Sequence, residues 1–311
     1  MRCALVSDRL DLRAFLGAEL ARIADRIEVV DHFAAEPVAD IRLAVAWNPP
    51  RDAFERYPNL QAVCSIGAGV DGILACPSLR PGIDVVRVVD PVQAQTMAGF
   101  IAWHVIGHQR SFATYRDQQR DRIWRSLRQR SAQSVPVGIL GYGEMGRTVA
   151  THLALLGFPV MAWSRTAKSA VSPVRVFHGR EGLGAMLGET EVLVNLLPLT
   201  SETQGLLNRD LFDRMRRGGY LVQVGRGEHL VEDHLLGALE NGQLSGAALD
   251  VFVDEPLPPA HPFWGHPGIV VTPHDACDAS AGAVADTIVA TADAIQKGER
   301  PPHTVDRERG Y

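Results

Sequence analysis

Arg226, Glu255 and His274 are the residues of this chain whose types and placement suit acid–base chemistry on a small organic acid. Each stands just past a short apolar run. Residues 220–224 lead into Gly225-Arg226-Gly227, 246–250 into Asp250-Val251-Phe252-Val253-Asp254-Glu255-Pro256, and 269–271 into Thr272-Pro273-His274. If these runs are strands of one parallel sheet, their ends deliver a guanidinium, a carboxylate and an imidazole to one rim, where such sheets bind ligands. The guanidinium is a fixed cation whose planar fork suits a carboxylate and a polarised ketone oxygen. The imidazole can give that oxygen a proton as hydride reaches the carbon, and take it back in the reverse direction. Glu255, bonded to the far ring nitrogen, would orient the ring and favour its protonated form. The set suits interconversion of a 2-keto acid and a 2-hydroxy acid.

Hydride transfer needs a carrier, and residues 137–165 have the pattern that holds one. Val137-Gly138-Ile139-Leu140 reads as a buried strand, followed at once by Gly141-Tyr142-Gly143-Glu144-Met145-Gly146 and a helical pattern with Val149, Leu153 and Leu156 on one face. A second apolar run, Val160 to Trp163, ends at Ser164-Arg165. Strand, glycine turn, helix and strand are the context in which G-x-G-x-x-G signifies dinucleotide binding. Gly141 allows the tight turn, Gly143 lets a pyrophosphate approach the backbone, and Gly146 lets the helix pack against the strand. An enzyme for NAD usually places Asp or Glu about 20 residues beyond the turn, to bond the ribose hydroxyls. Here Ser164, Arg165 and, close behind, Lys168 stand instead, groups that donate to a 2′-phosphate or carry positive charge. The expected cofactor is NADP(H), preferred over NAD(H).

The elements that must position these residues follow from periodicity. Strands are expected at 2–6, 28–30, 43–47, 62–65 and 85–89, with a helix over Asp11–Ile23 carrying Leu12, Phe15, Leu16, Leu20 and Ile23 on one stripe. This block alternates β and α and predicts a small parallel sheet. Asp90-Pro91 reads as a hinge, and a long helix is expected from Thr96. Beyond Ile106 the chain changes character. Ser111 to Arg130 holds Arg116, Arg120, Arg122, Arg125, Arg128 and Arg130, with Trp124 its largest apolar anchor, flanked by Ile123 and Leu127. Such a stretch is either a solvated arm or one ordered against a second subunit.

Strands at 137–140, 160–163, 174–176, 192–195, 220–224, 246–250 and 269–271 make seven, enough for a doubly wound sheet, with helical patterns such as Asn208–Met215 and Glu232–Asn241 between them. The last helix, about Ala279 to Lys297, should return to the first block. The expected fold is α/β with two domains, each a parallel sheet flanked by helices. The boundaries read as residues 1–94 with 283–311 for a discontinuous substrate-binding domain, and 95–282 for a Rossmann-type dinucleotide-binding domain.

Charge and composition narrow the function classes. A net charge of −5 with no concentrated basic face argues against a nucleic-acid surface. The N-terminus is charged too early for a signal peptide, and the longest apolar stretch, Met97–Ile106, is too short to span a bilayer. Four cysteines without CxxC spacing read as reduced core thiols in a cytoplasmic protein, and no metal site is expected.

The chain resembles the D-isomer-specific 2-hydroxyacid dehydrogenases over nearly its full length, most closely the glyoxylate/hydroxypyruvate reductase branch. The matching stretches are Gly67-Ala68-Gly69-Val70-Asp71, the turn at 139–146, Trp163-Ser164-Arg165-Thr166, Val194-Asn195-Leu196-Leu197-Pro198-Leu199-Thr200, Gly225-Arg226-Gly227, Leu249-Asp250-Val251-Phe252 with Glu255-Pro256-Leu257-Pro258, and Thr272-Pro273-His274. The resemblance implies Arg226, Glu255 and His274 as the catalytic set, and backbone N–H groups around Ala68 and Gly69 on the substrate carboxylate. It implies Asp250 on the nicotinamide amide, Leu197 and Pro198 on the adenine side, and a homodimer whose 111–130 segment crosses between subunits. Trp47, in the Trp47-Asn48-Pro49 loop, is expected to shape the substrate pocket. The chain departs from the family at Gly99, where a Glu is common, at Asp275, and at Gln223 and Gly225, which replace the commoner Asn and Ala. Two other readings stay open: an NAD-dependent dehydrogenase working oxidatively, and a dinucleotide-sensing protein without turnover. A methyltransferase would leave Arg226, Glu255 and His274 without a purpose.

Overall fold

The computed structural model describes residues 1–34 and 38–310. The chain divides into two compact units, residues 1–93 together with Asp278 onward, and residues 94–277.

The first unit opens with β1 (Arg2–Val6), α1 (Leu12–Leu16), α2 (Glu19–Ile23), β2 (Glu28–Asp31), β3 (Ile41–Ala46), β4 (Ala62–Ser65), α3 (Asp71–Leu74) and β5 (Asp84–Val86). Its five strands pair in parallel in the order β2-β1-β3-β4-β5. The apolar stripe expected over 11–23 is buried at Leu12, Leu16 and Ile23, but the single helix is not formed. Gly17 takes φ +50°, a conformation cheap only for glycine, and the chain breaks there into two short helices that still offer one face to the sheet.

The second unit carries α4 (Pro91–Gln109), α5 (Phe112–Arg120), β6 (Val137–Leu140), α6 (Glu144–Leu155), β7 (Val160–Ser164), β8 (Arg175–His178), α7 (Gly179–Glu189), β9 (Val192–Asn195), α8 (Arg209–Phe212), β10 (Gly219–Gln223), α9 (Glu232–Glu240), β11 (Leu244–Leu249) and β12 (Ile269–Val271). The unit boundary falls within the first turn of α4. That helix starts five residues before the expected Thr96, because Pro91 fits a first helical position and Asp90 Oδ1 accepts from the Val92 N–H at 2.8 Å. The proline read as a hinge is a helix start.

The seven strands are parallel, in the order β12-β11-β10-β9-β6-β7-β8. The order reverses between β6 and β9, and ligands of such sheets bind at that point. One face is covered by α4 and α6, through Met97, Ile101, Val105, Val149 and Leu153, and the other by residues of α7 to α9, including Leu187, Phe212 and Leu235. Fully burying a side chain such as Ile101 contributes about 1.5–3 kcal/mol, enough to hold each helix in place. Among the described residues no helix is long and apolar enough to cross a membrane.

Past α5 the arm has no regular structure from 121 to 130. It ends on an ion cluster: Arg130 Nη2 meets Glu191 Oε2 at 2.8 Å, and His108 Nε2 meets Glu191 Oε1 at 2.8 Å. Trp124 is fully exposed, so it does not pack on its own helix. The chain then returns to the first unit as α10 (Ala281–Lys297), which lays Val284, Ile288 and Ile295 against β3, β4 and the two short helices.

Candidate active site

The glycine turn has the geometry expected of it. Gly141 takes φ +101°, and a Cβ there would lie 2.9 Å from the Leu196 carbonyl oxygen. A Cβ on Gly146 would lie 2.0 Å from the Gly141 oxygen, so only glycine lets α6 sit this close to β6. Gly143 is the N-cap of α6, with no side chain closing the helix end and open space where its Cβ would be. The amides of the first turn are left for an anion such as a pyrophosphate, and the cradle fits a dinucleotide. Glu144 is exposed and Met145 packs partly on the core. Tyr142 is buried, and its hydroxyl accepts from the Val171 N–H at 3.3 Å, tying down the loop after β7.

On that loop Arg165 and Lys168 are exposed, and Arg165 Nη1 pairs with Glu202 Oε2 at 2.9 Å. Ser164 does not present a donor outward. It is buried, and its hydroxyl donates to the Thr166 carbonyl at 2.7 Å, which shapes the turn instead. Leu197 is buried in the core beside the partly exposed Pro198.

The three chemistry-bearing residues sit at neighbouring strand ends, after β10, β11 and β12. Two of their loops press together. A Cβ on Gly227 would lie 2.0 Å from the Phe252 carbonyl carbon, so glycine alone lets the Arg226 loop meet the loop that leads to Glu255. Glu255 Oε1 accepts from the Phe252 N–H at 3.0 Å, and its Oε2 meets His274 Nδ1 at 2.9 Å. The bond to Glu255 raises the His274 pKa above the usual imidazole value, against the opposing pull of burial. Burial pushes the Glu255 carboxyl up, but bonds from His274 and the Phe252 amide outweigh it and hold it below the usual range. The Arg226 charge acts on both partners. Asp275 points into solvent, and the charges governing the His274 ring are Glu255, Arg226 and Asp250.

Asp250 does work that sequence reasoning missed. Almost wholly buried, it accepts from Thr272 Oγ1 at 2.6 Å, the Asp275 N–H at 2.9 Å and the Ala276 N–H at 3.0 Å. It pins both flanks of His274, whose φ of +57° is rare for a residue with a Cβ. The carboxylate that the resemblance places on a nicotinamide amide already carries these three bonds. The signal was only its place at a strand end.

In the first unit, Ser65 accepts from the Gly67 N–H at 3.2 Å and donates to the Gly69 carbonyl at 2.7 Å. This buried serine, unnoticed in the sequence, sets the turn bearing Ala68 and Gly69, both partly exposed. Trp47 follows β3 directly, with its ring partly packed on the core.

A doubly wound parallel sheet, a glycine cradle at its switch point and a His–Glu pair beside an arginine define an oxidoreductase dependent on a nicotinamide dinucleotide. The model of the D-isomer specific 2-hydroxyacid dehydrogenase NAD binding domain matches residues 102–276. The chain belongs to that family. It is 40% identical to glyoxylate/hydroxypyruvate reductase A of Serratia proteamaculans over 306 residues, 96% of this chain and 97% of the relative. A D-isomer specific 2-hydroxyacid dehydrogenase from Xanthobacter autotrophicus Py2, solved with NADPH and MES, matches with TM-score 0.94 and 36% identity, over 100% of this chain and 99% of that one. The NADPH-dependent glyoxylate/hydroxypyruvate reductase of Sinorhizobium meliloti, solved with NADP and sulfate, matches with TM-score 0.92 and 35% identity over the same shares.

Proposed function

We propose that this enzyme reduces a small 2-keto acid of the glyoxylate or hydroxypyruvate class to the 2-hydroxy acid, using NADPH. The observation that carries the reading is the His274–Glu255 pair at 2.9 Å, with the Arg226 charge bearing on both. Because Nδ1 is held by Glu255, Nε2 is the nitrogen left to face the substrate oxygen. NADPH, when bound, would supply the hydride that the carbonyl carbon accepts. His274 Nε2 gives its proton to the carbonyl oxygen, and Arg226 holds the carboxylate and steadies the developing alkoxide. Glu255 keeps the ring oriented and protonated between turnovers.

The amides of the first turn of α6 would hold the pyrophosphate, Leu197 and Pro198 the adenine side, and Arg165 with Lys168 a 2′-phosphate, in exchange for or beside Glu202. The relatives solved with NADPH and NADP support that preference. We assign recognition of the substrate on the first unit to the Ala68 and Gly69 amides and to Trp47. The substrate-binding role thus goes to the first unit, residues 1–93 with 278 onward, and the dinucleotide role to 94–277, against expected boundaries at 94 and 283. The four free cysteines accord with a reducing cytoplasm. The exposed Trp103, Ile123 and Trp124 on one polar arm and helix support a homodimer.

The test is turnover of glyoxylate and hydroxypyruvate with NADPH and NADH, by the wild type and by His274→Gln. The wild type should turn over with NADPH, and the variant should lose about 10²–10⁴-fold in kcat while binding NADPH as before. Near-normal kcat in His274→Gln would remove the histidine from its role.

A further inference from the structure

We infer that Gln223 is a positioning residue for Arg226, acting through a buried lattice that it forms with Asn195 and His229. The inference rests on the reading of Arg226 as the keto-acid cation. All three side chains are fully buried at the ends of β9 and β10 and in the turn beyond. Gln223 Nε2 donates to the Arg226 carbonyl at 2.7 Å, while its Oε1 accepts from Asn195 Nδ2 at 2.8 Å and from the Gly225 N–H at 3.2 Å. The Arg226 N–H donates to His229 Nδ1 at 3.0 Å, and Asn195 Nδ2 reaches the same nitrogen at 3.0 Å. With two donors aimed at it, Nδ1 carries no proton, and Nε2 donates to the Pro198 carbonyl at 3.2 Å. Both backbone polar groups of Arg226 are thereby fastened to side chains rather than left to a mobile loop.

Gly225 belongs to the same device. A Cβ there would lie 2.7 Å from Asn195 Nδ2 and 2.9 Å from His229 Nδ1, closer than real Cβ atoms approach. Both atoms are held in the lattice, so neither can give way cheaply. The glutamine and the glycine, two departures from the family pattern, work as one arrangement: the long amide closes the turn and the absent Cβ leaves room for the lattice. Arg226 is itself drawn back over this turn, with Nη1 donating to the Gly225 carbonyl at 2.8 Å. The direction of its guanidinium follows the turn that Gln223 closes.

A misplacement of about 1 Å in a positioning group can cost about 10²-fold in turnover. Gln223→Met keeps the length and removes both polar ends. It should lower kcat/KM for glyoxylate about ten- to a hundredfold, in KM and kcat together, with the NADPH Kd within about twofold of wild type. Since Gln223 acts through Arg226, Gln223→Met should cost nothing further in an Arg226→Gln background. A full additional loss there, or an unaltered kcat/KM in the single variant, overturns the inference. If Arg226→Gln alone leaves glyoxylate kinetics unchanged, the reading of Arg226 fails instead. Should Gln223→Met not fold, Gln223→Asn, which keeps the amide one methylene short, takes its place. Its smaller loss must vanish in the Arg226→Gln background in the same way.

Discussion

His274 holds a left-handed backbone conformation, at φ +57°, that its Cβ makes costly, and Asp250 meets that cost with three hydrogen bonds to the residues around it. The imidazole is thus fixed twice, through its backbone by Asp250 and through its ring by Glu255. Glu255→Gln separates charge from geometry, because the amide can still bond the ring but no longer raises its pKa. Under the proposed reduction the protonated ring is the active form, so kcat/KM should fall as pH rises through the raised pKa. Removing the carboxylate should move that descending limb to lower pH, measured as a pH–rate profile with glyoxylate and NADPH. An unmoved limb would assign it to another group. At the cofactor end, Arg165→Ala should weaken NADPH about tenfold more than NADH, the scale of one charge-assisted contact to phosphate. Titrations with equal weakening of both cofactors would clear Arg165 of the 2′-phosphate.

At the level of elements, α4, the arm and β9 meet at Glu191. Burial pushes its carboxyl up, yet the bonds from His108 and Arg130 prevail and hold it at about 2. A carboxylate depressed in the folded state contributes stability above its ordinary pKa near 4.5 and loses it as pH falls toward 2. Glu191→Gln should therefore cost about 2 kcal/mol at neutral pH, a charged hydrogen-bond pair partly open to water, and the gap from wild type should narrow as pH falls below 4.5 and close toward pH 2. Thermal unfolding across pH measures it. The variant should also expose the arginine-rich arm at 121–130, seen as faster tryptic cleavage there, because Arg130 loses its anchor. Cleavage at the wild-type rate would show that the arm is held elsewhere.

For the whole molecule, the polar arm leaves Trp124 fully in solvent and Trp103 two-thirds exposed on α4, in contact distance of Phe112 at 6.4 Å between ring centroids. Large aromatics in solvent are costly unless a partner covers them, and aromatics dominate interface energetics. Trp124→Ala should weaken a dimer by about 2 kcal/mol, roughly thirtyfold in dissociation constant, read by sedimentation over a dilution series. A wild-type chain that sediments as a monomer, or a dimer of unchanged affinity in the variant, would set this assignment aside.

The glycine turn, the strand runs and the order of motifs were legible in the residues themselves, because turn conformation and burial periodicity are local properties. Gly141 needs its positive φ wherever the chain folds this way, and 137–140 is apolar because both sheet faces are covered. The Glu255–His274 pair was legible for a related reason: strand ends in a parallel sheet share one rim. Where a helix starts or breaks was less so, since Pro91 and Gly17 each allow two conformations and the packing around them selects one. The partners of buried polar groups were not legible at all. Asn195, Gln223 and His229 lie 28 and 34 residues apart from first to second and first to third, and only the register of β9 against β10 brings them within 3.0 Å. The same holds for Asp250 beneath His274 and Glu191 between His108 and Arg130. A buried polar side chain must be satisfied, but its sequence neighbours do not say by what; strand register and helix packing decide it.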